Sequence, residues 1–123
     1  MTKIMVVEDE ALSAMIMCRT LENRGYSVCK PVATGEEAVI SAIAEKPDLI
    51  FMDICLAGEK DGIQAAQEIG EIHNIPIIFV TAYSDTDLKK RAERLKPAGY
   101  MNKPVGIDQL QSAIEAVLSG VQK

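Results

Sequence analysis

Five side chains in this sequence have the types and the placement to handle a phosphate group or a divalent cation: Glu8, Asp9, Asp53, Thr81 and Lys103. Asp53 ends the apolar run Leu49-Ile50-Phe51-Met52, and Glu8-Asp9 ends another, Ile4-Met5-Val6-Val7. An acid that ends a hydrophobic strand is costly to bury unless a cation, a metal or hydrogen-bond donors meet it. Carboxylates crowded together repel, and without a cation one of them takes up a proton. Oxygen-only ligands with room for water suit Mg²⁺, or Mn²⁺, rather than Zn²⁺, which wants His or Cys. His73 is the only histidine and falls at the far end of a helical stretch, and Cys55 by itself does not make a zinc site. Lys103 is a point charge that could pair with Asp53 at rest and with a phosphoryl oxygen afterwards. Thr81 offers a hydroxyl, and Ala82 beside it leaves space for a group the size of phosphate. Together these are the parts for phosphoryl transfer to a carboxylate, giving an aspartyl phosphate. Such a transfer needs little beyond positioning and charge neutralisation.

The elements that must hold these residues follow from the apolar pattern. Short apolar runs bounded by turn residues predict strands covered on both faces, at Ile4–Val7, Leu49–Asp53 and Ile75–Thr81, with a short one at Gly99–Lys103. Ser27–Val32 is more polar and contains Pro31, which suits an edge. Between them lie helical stretches. Ala11–Arg24 carries Leu12, Met15 and Ile16 on one side and stops at Gly25. Thr34-Gly35-Glu36-Glu37 has the capping-box pattern, ahead of Ala38, Val39, Ala42 and Ile43. Asp61 is a helix cap, not part of a hairpin turn, and Ile63, Ala66, Ile69 and Ile72 recur at helical spacing after it. Ser84–Leu95 is a weak helix with a thin stripe of Leu88, Ala92 and Leu95. Gly106–Ser119 closes with Ile107, Leu110, Ile114, Val117 and Leu118 on one face.

Strand and helix alternate five times. The expected fold is α/β: a doubly wound five-stranded parallel sheet with right-handed crossovers and five flanking helices. The order 2-1-3-4-5 suits five strands and sets the first beside the third. Glu8 and Asp9 then meet Asp53 at one sheet rim, with Thr81 and Lys103 ending the strands beyond.

Composition narrows the function classes. At 123 residues the expectation is one domain, 1–123, whose core is filled by aliphatic side chains, since Trp is absent and aromatics are 4%. A net charge of −5 argues against general nucleic-acid or anionic-membrane binding. Cys18, Cys29 and Cys55 form no CxxC pair and are expected as free thiols in a reducing cytoplasm. The apolar run after Met1-Thr2-Lys3 is too short for a signal-peptide core, and no run approaches the ~18 residues of a membrane span. Neither a P-loop nor GxGxxG is present, which disfavours a nucleotide or flavin module. A phosphatase with an aspartyl nucleophile is the enzymatic alternative; it would carry DxD on the first strand, which Glu8-Asp9 does not match.

Val7-Glu8-Asp9, Met52-Asp53, Thr81-Ala82 and Lys103-Pro104 follow in order along the chain. With this set the whole sequence resembles a response-regulator receiver domain of two-component signalling. The resemblance implies a signalling phosphoacceptor rather than an enzyme, one that assists its own phosphorylation and dephosphorylation. Asp53 would take the phosphoryl group from a histidine kinase or phosphotransfer protein. Asp9, Asp53 and the backbone carbonyl of Cys55 would bind Mg²⁺, with Glu8 acting through metal-bound water. Lys103 and Thr81 would bind the phosphoryl oxygens, and the Lys103–Pro104 peptide would be cis. Tyr100 matches the aromatic that turns inward as the threonine shifts, changing a surface of the fourth helix, fifth strand and fifth helix for an unidentified downstream protein. The protein would be a monomer or a phosphorylation-dependent dimer.

The sequence departs from the family pattern in places. Glu8 stands where aspartate is commoner. The loop Ile54–Gly62 is one residue longer than in many receivers and has Ala57 where proline is usual. Cys55 and Tyr83 occupy positions that tune water access in the family. Lys89, Lys90, Arg91, Arg94 and Lys96 are a solvated helix face or a phosphorylation-sensitive partner surface. A receiver-like scaffold that works without phosphorylation is the remaining alternative.

Overall fold

Strands without a polar face can exist only where both sides are covered, and that is how this chain uses them. A computed structural model describes residues 2–82 and 86–119; the expectations placed on Tyr83 and Ser84 lie outside the described residues. In chain order the elements are β1 (Lys3–Val7), α1 (Ala11–Asn23), β2 (Ser27–Val28), α2 (Gly35–Glu45), β3 (Leu49–Met52), α3 (Gly62–Ile72), β4 (Ile77–Thr81), α4 (Thr86–Arg94), β5 (Gly99–Asn102) and α5 (Ile107–Leu118). The five strands form one sheet in the order β2-β1-β3-β4-β5, and all neighbours are parallel. Register sets Val7 beside Met52, Met52 beside Phe79 and Thr81 beside Asn102. The carboxyl ends of the strands therefore share one rim.

Side chains alternate across the sheet and divide the core in two. On one face Met5, Val7, Ile50, Met52 and Phe79 pack with Ala38 and Ala42 of α2, Ile63, Ala66 and Ile69 of α3, and Ala92 of α4. On the other, Ile4, Val6, Leu49, Phe51, Ile78 and Val80 pack with Cys18 and Leu21 of α1 and Leu110, Ile114 and Val117 of α5. Burying each large apolar side chain contributes roughly 1.5–3 kcal/mol.

Three local expectations are corrected. The apolar side of α1 that faces the sheet is Ala14, Cys18 and Leu21, not Leu12, Met15 and Ile16, which are 60%, 49% and 57% exposed. The helix carries two apolar stripes on opposite sides, so periodicity alone does not choose between them; close packing on the sheet selects the one with small residues. β2 ends at Val28, not Val32, though Val32 still makes an isolated parallel bridge to Val7. The capping box at Thr34 is half formed: its hydroxyl accepts from the Glu37 N–H at 3.1 Å, and the Glu37 carboxylate takes the Thr34 hydroxyl at 3.2 Å. The Asp61 cap is complete, with Gln64 N–H donating to Asp61 at 2.8 Å and Asp61 N–H donating back to Gln64 at 2.9 Å.

Candidate functional site

The ladder carries the chain into the site from three directions. The Asp53 N–H donates to the Val7 carbonyl at 3.0 Å, and the Glu8 N–H to the Val32 carbonyl at 2.9 Å. Glu8, Asp9 and Asp53 thus leave adjacent strands at the same rim, and their ligand oxygens lie within 4.8 Å of one another. One strand further on, the Lys103 N–H donates to the Thr81 carbonyl at 2.8 Å, which extends the β4–β5 register past Asn102. That turns the Lys103 side chain back over the acids. Its ammonium donates to Asp53 Oδ2 at 2.9 Å and also to Glu8 Oε1.

Backbone donors complete the arrangement. Asp53 Oδ1 accepts from the Cys55 N–H at 3.1 Å, and Glu8 Oε2 accepts from the Glu10 N–H at 3.1 Å. Glu8 and Asp53 are buried, Asp9 faces solvent, and Thr81 is fully buried at the end of β4. The Lys103–Pro104 peptide bond is cis.

Titration follows from this geometry. Burial raises the Glu8 carboxyl, but its hydrogen bonds to Lys103 and to the Glu10 N–H, with the Lys103 charge, outweigh burial and leave it below its ordinary value. Asp53 goes the other way: burial dominates, Glu8 adds to it, and Lys103 and the Cys55 N–H only partly offset them. Asp9 is also raised, by desolvation and then by its hydrogen bond to and repulsion from Glu8. Lys103 is pulled down by burial but ends above its usual value because Glu8 and Asp53 stabilise its charge. Two of three carboxylates are therefore held above their ordinary range even with a lysine among them. All-oxygen donors, one of them open to water, fit a hard divalent cation such as Mg²⁺.

Tyr100 and His73 sit apart from the acids. Tyr100 pairs with Phe79 in the sheet, its ring packs against the core cluster containing Phe79 and Ala92, and its hydroxyl oxygen is buried. Lys89 of α4 places its ammonium 5.8 Å from the ring centroid. His73 caps α3 at the rim where β4 begins, opposite the acids. Cys18 and Cys29 are buried, Cys55 is half-buried, all three are free thiols, and burial is the leading cause that pushes each one up.

Sequence reasoning missed what holds the loop between β3 and α3. Gly62 packs so closely that a β-carbon there would overlap the Asp53 carbonyl oxygen and stand 2.9 Å from its carbonyl carbon. At Gly35 a β-carbon would meet the Lys60 carbonyl oxygen at 2.7 Å. Ala57 bridges to Thr34, Lys60 pairs with Glu68 of α3, and Gly58 takes φ +91°, a backbone conformation that favours glycine. The Asp61-Gly62 pair was the available signal, but composition shows a cap there and not a close approach.

A parallel 2-1-3-4-5 sheet with acids from β1 and β3 and a lysine following β5 at its carboxyl rim defines a class of signalling module. This chain belongs to the response regulator receiver domain family, which matches residues 4–115. Such domains are signalling modules rather than turnover enzymes. The chain is 38% identical over 117 residues to the transcriptional regulatory protein PdtaR of Mycobacterium tuberculosis, covering 95% of this chain and 57% of that protein. It is 33% identical over 123 residues to protein PilH of Pseudomonas aeruginosa, covering 98% and 100%. The signal receiver domain of a modulated diguanylate cyclase from Desulfovibrio desulfuricans G20 superposes with a TM-score of 0.90 at 38% identity, covering 95% of this chain and 93% of that one. The chain spans 57% of PdtaR and 43% of the PhyR regulator of Methylorubrum extorquens. Among the described residues no helix is long and apolar enough to cross a membrane.

Proposed function

We propose that Asp53 is the phosphoacceptor of a cytoplasmic two-component pathway, taking its phosphoryl group from a histidine kinase or a phosphotransfer protein. The observation that carries this reading is the Lys103 ammonium, 2.9 Å from Asp53 Oδ2, inside a group of three convergent carboxylates. In the transfer an Asp53 oxygen forms the new bond to phosphorus as the bond from phosphorus to the donor's nitrogen breaks. The Cys55 N–H and Lys103 hold the carboxylate before the reaction; Lys103 and the Thr81 hydroxyl receive the phosphoryl oxygens afterwards.

Asp9, Asp53 and the Cys55 carbonyl would hold Mg²⁺, with Glu8 reaching it through water, and the ion when bound supplies neutralising charge to phosphate and acids alike. The raised Asp53 and Asp9 carboxyls support a cation here. The exposed Leu12, Met15 and Ile16 stripe of α1, which begins two residues after Asp9, supports a protein partner docking beside the site. Phosphate at Asp53 draws the Thr81 hydroxyl toward the phosphoryl oxygens, favours the inward Tyr100 ring whose hydroxyl is already buried here, and biases α4, β5 and α5 toward the partner-binding arrangement, as far as it favours that arrangement over the resting one.

Incubation with acetyl phosphate and Mg²⁺, followed by intact mass, tests this. One phosphoryl group per chain is expected on the wild type, none on Asp53→Asn, and none without the metal. No added mass on the wild type would leave a scaffold. Repeated turnover of a phosphoester would make the protein a phosphatase.

A further inference from the structure

The loop from Asp53 to Asp61 is fastened on two sides. Toward α2 it is held by the Ala57–Thr34 bridge and the seat of Lys60 on Gly35. Toward α4 it is held by an ion pair: Arg91 Nη2 donates to Asp61 Oδ2 at 3.1 Å. The other oxygen of the same carboxylate caps α3, accepting from the Gln64 N–H at 2.8 Å. One side chain thus both starts α3 and grips α4.

Each end of this contact bears on a neighbouring element. Gly62, next to Asp61, donates its N–H to the Ile54 carbonyl at 2.7 Å and lies against the Asp53 carbonyl with no room for a β-carbon. A shift of Asp61 therefore reaches the backbone that presents Asp53 and Cys55. At the other end, α4 has nine residues, of which Ala92 is fully buried while Leu88 and Leu95 beyond it only partly join the core. A helix with so little apolar area is placed largely by its polar contacts.

We propose that Arg91 is a positioning residue for the phosphoacceptor loop, acting through Asp61, and that the same pair couples this loop to α4. The coupling is reciprocal, since whatever shifts the loop changes the hold on α4 by the same free energy. Its consequence for phosphorylation rests on the function proposed above; the coupling itself does not.

The test uses Arg91→Gln, Asp61→Asn, the double variant and Arg91→Lys. Asparagine caps a helix about as well as aspartate, so Asp61→Asn keeps the cap and removes the charge. Amide exchange is followed in the metal-free, unphosphorylated protein at residues 55–61 and 86–94, alongside the initial rate of phosphorylation by acetyl phosphate with Mg²⁺. Each single variant is expected to lose about two- to fivefold protection in both segments, the scale of a half-exposed ion pair. The double variant should lose no more than either single, and Arg91→Lys should restore most of it. The phosphorylation rate should fall by a similar factor. Loss confined to one segment, or additive loss in the double variant, overturns the coupling. Coupled exchange with an unchanged phosphorylation rate overturns the positioning role. Coupled exchange in a protein whose wild type takes up no phosphate leaves the coupling standing and defeats the phosphoacceptor reading instead.

Discussion

Replacing Lys103 by methionine keeps the length of the side chain and removes the charge that Glu8 and Asp53 share. In the wild type the stabilising share of Glu8, whose folded pKa is lowered, is present above the unfolded carboxylate value and lost as pH falls through the folded one. The share of Lys103, whose folded pKa is raised, is present below the unfolded lysine value and lost as pH rises through the folded one. At neutral pH both are in force.

In Lys103→Met the two buried acids, each 8% exposed, keep their burial and their mutual repulsion. A carboxylate raised in this way imposes a penalty at neutral pH that fades as pH falls through its raised value. Removing one partner of a buried ion pair costs ~3–5 kcal/mol. Water reaches the Lys103 side chain, which is 30% exposed, and the acids can share a proton, so we take ~2 kcal/mol. At ~4 °C per kcal/mol for a chain of this size, the thermal midpoint should drop by ~8 °C. Melting followed by circular dichroism, at neutral pH and near pH ~4 where carboxylates protonate, reads the effect. The deficit should shrink by more than half in acid, and Mg²⁺ at neutral pH should recover more of it than it adds to the wild type. No deficit, or one of equal size at both pH values, would refute the electrostatic account of the site.

Two further outcomes follow from the same geometry. Asp53→Asn should raise the metal-free midpoint at neutral pH, because an acid with a raised folded pKa opposes folding there, and it should shrink the stabilisation given by Mg²⁺; a lower midpoint would mean that the Lys103 contact outweighs burial. Gly62→Ala should destabilise by ~1–3 kcal/mol, as overpacking does. It should also slow acetyl-phosphate-dependent phosphorylation about tenfold, because the displaced atoms carry the nucleophile; a full rate in a destabilised protein would separate the close packing from the chemistry.

Much of this protein is legible along its chain because hydrophobic burial is local in its signature. Apolar runs at Ile4–Val7, Leu49–Met52 and Ile75–Thr81, bounded by turn residues, read as doubly covered strands, the last of which begins only at Ile77. Their alternation with helices leaves few topologies, so the convergence of Glu8, Asp9 and Asp53 with Lys103 could be derived before any coordinate. Asp61 as a cap is equally local, since a side chain three residues from its partner needs no tertiary help.

Packing decided the rest. Which of two apolar stripes of α1 faces the sheet is not written in its period, and close packing chose Ala14, Cys18 and Leu21 over the larger Leu12, Met15 and Ile16. The close approach of Gly62 to Asp53 and the reach of Arg91 to Asp61, 30 residues away, arise only when α3 and α4 settle against the sheet. The opposite displacements of Glu8 and Asp53 depend on distances and burial that two acids at the ends of two similar strands do not reveal. Sequence determined which side chains meet, because strand order and chain direction place them; tertiary structure alone decided how each is held, because contact and desolvation exist only once the layers close.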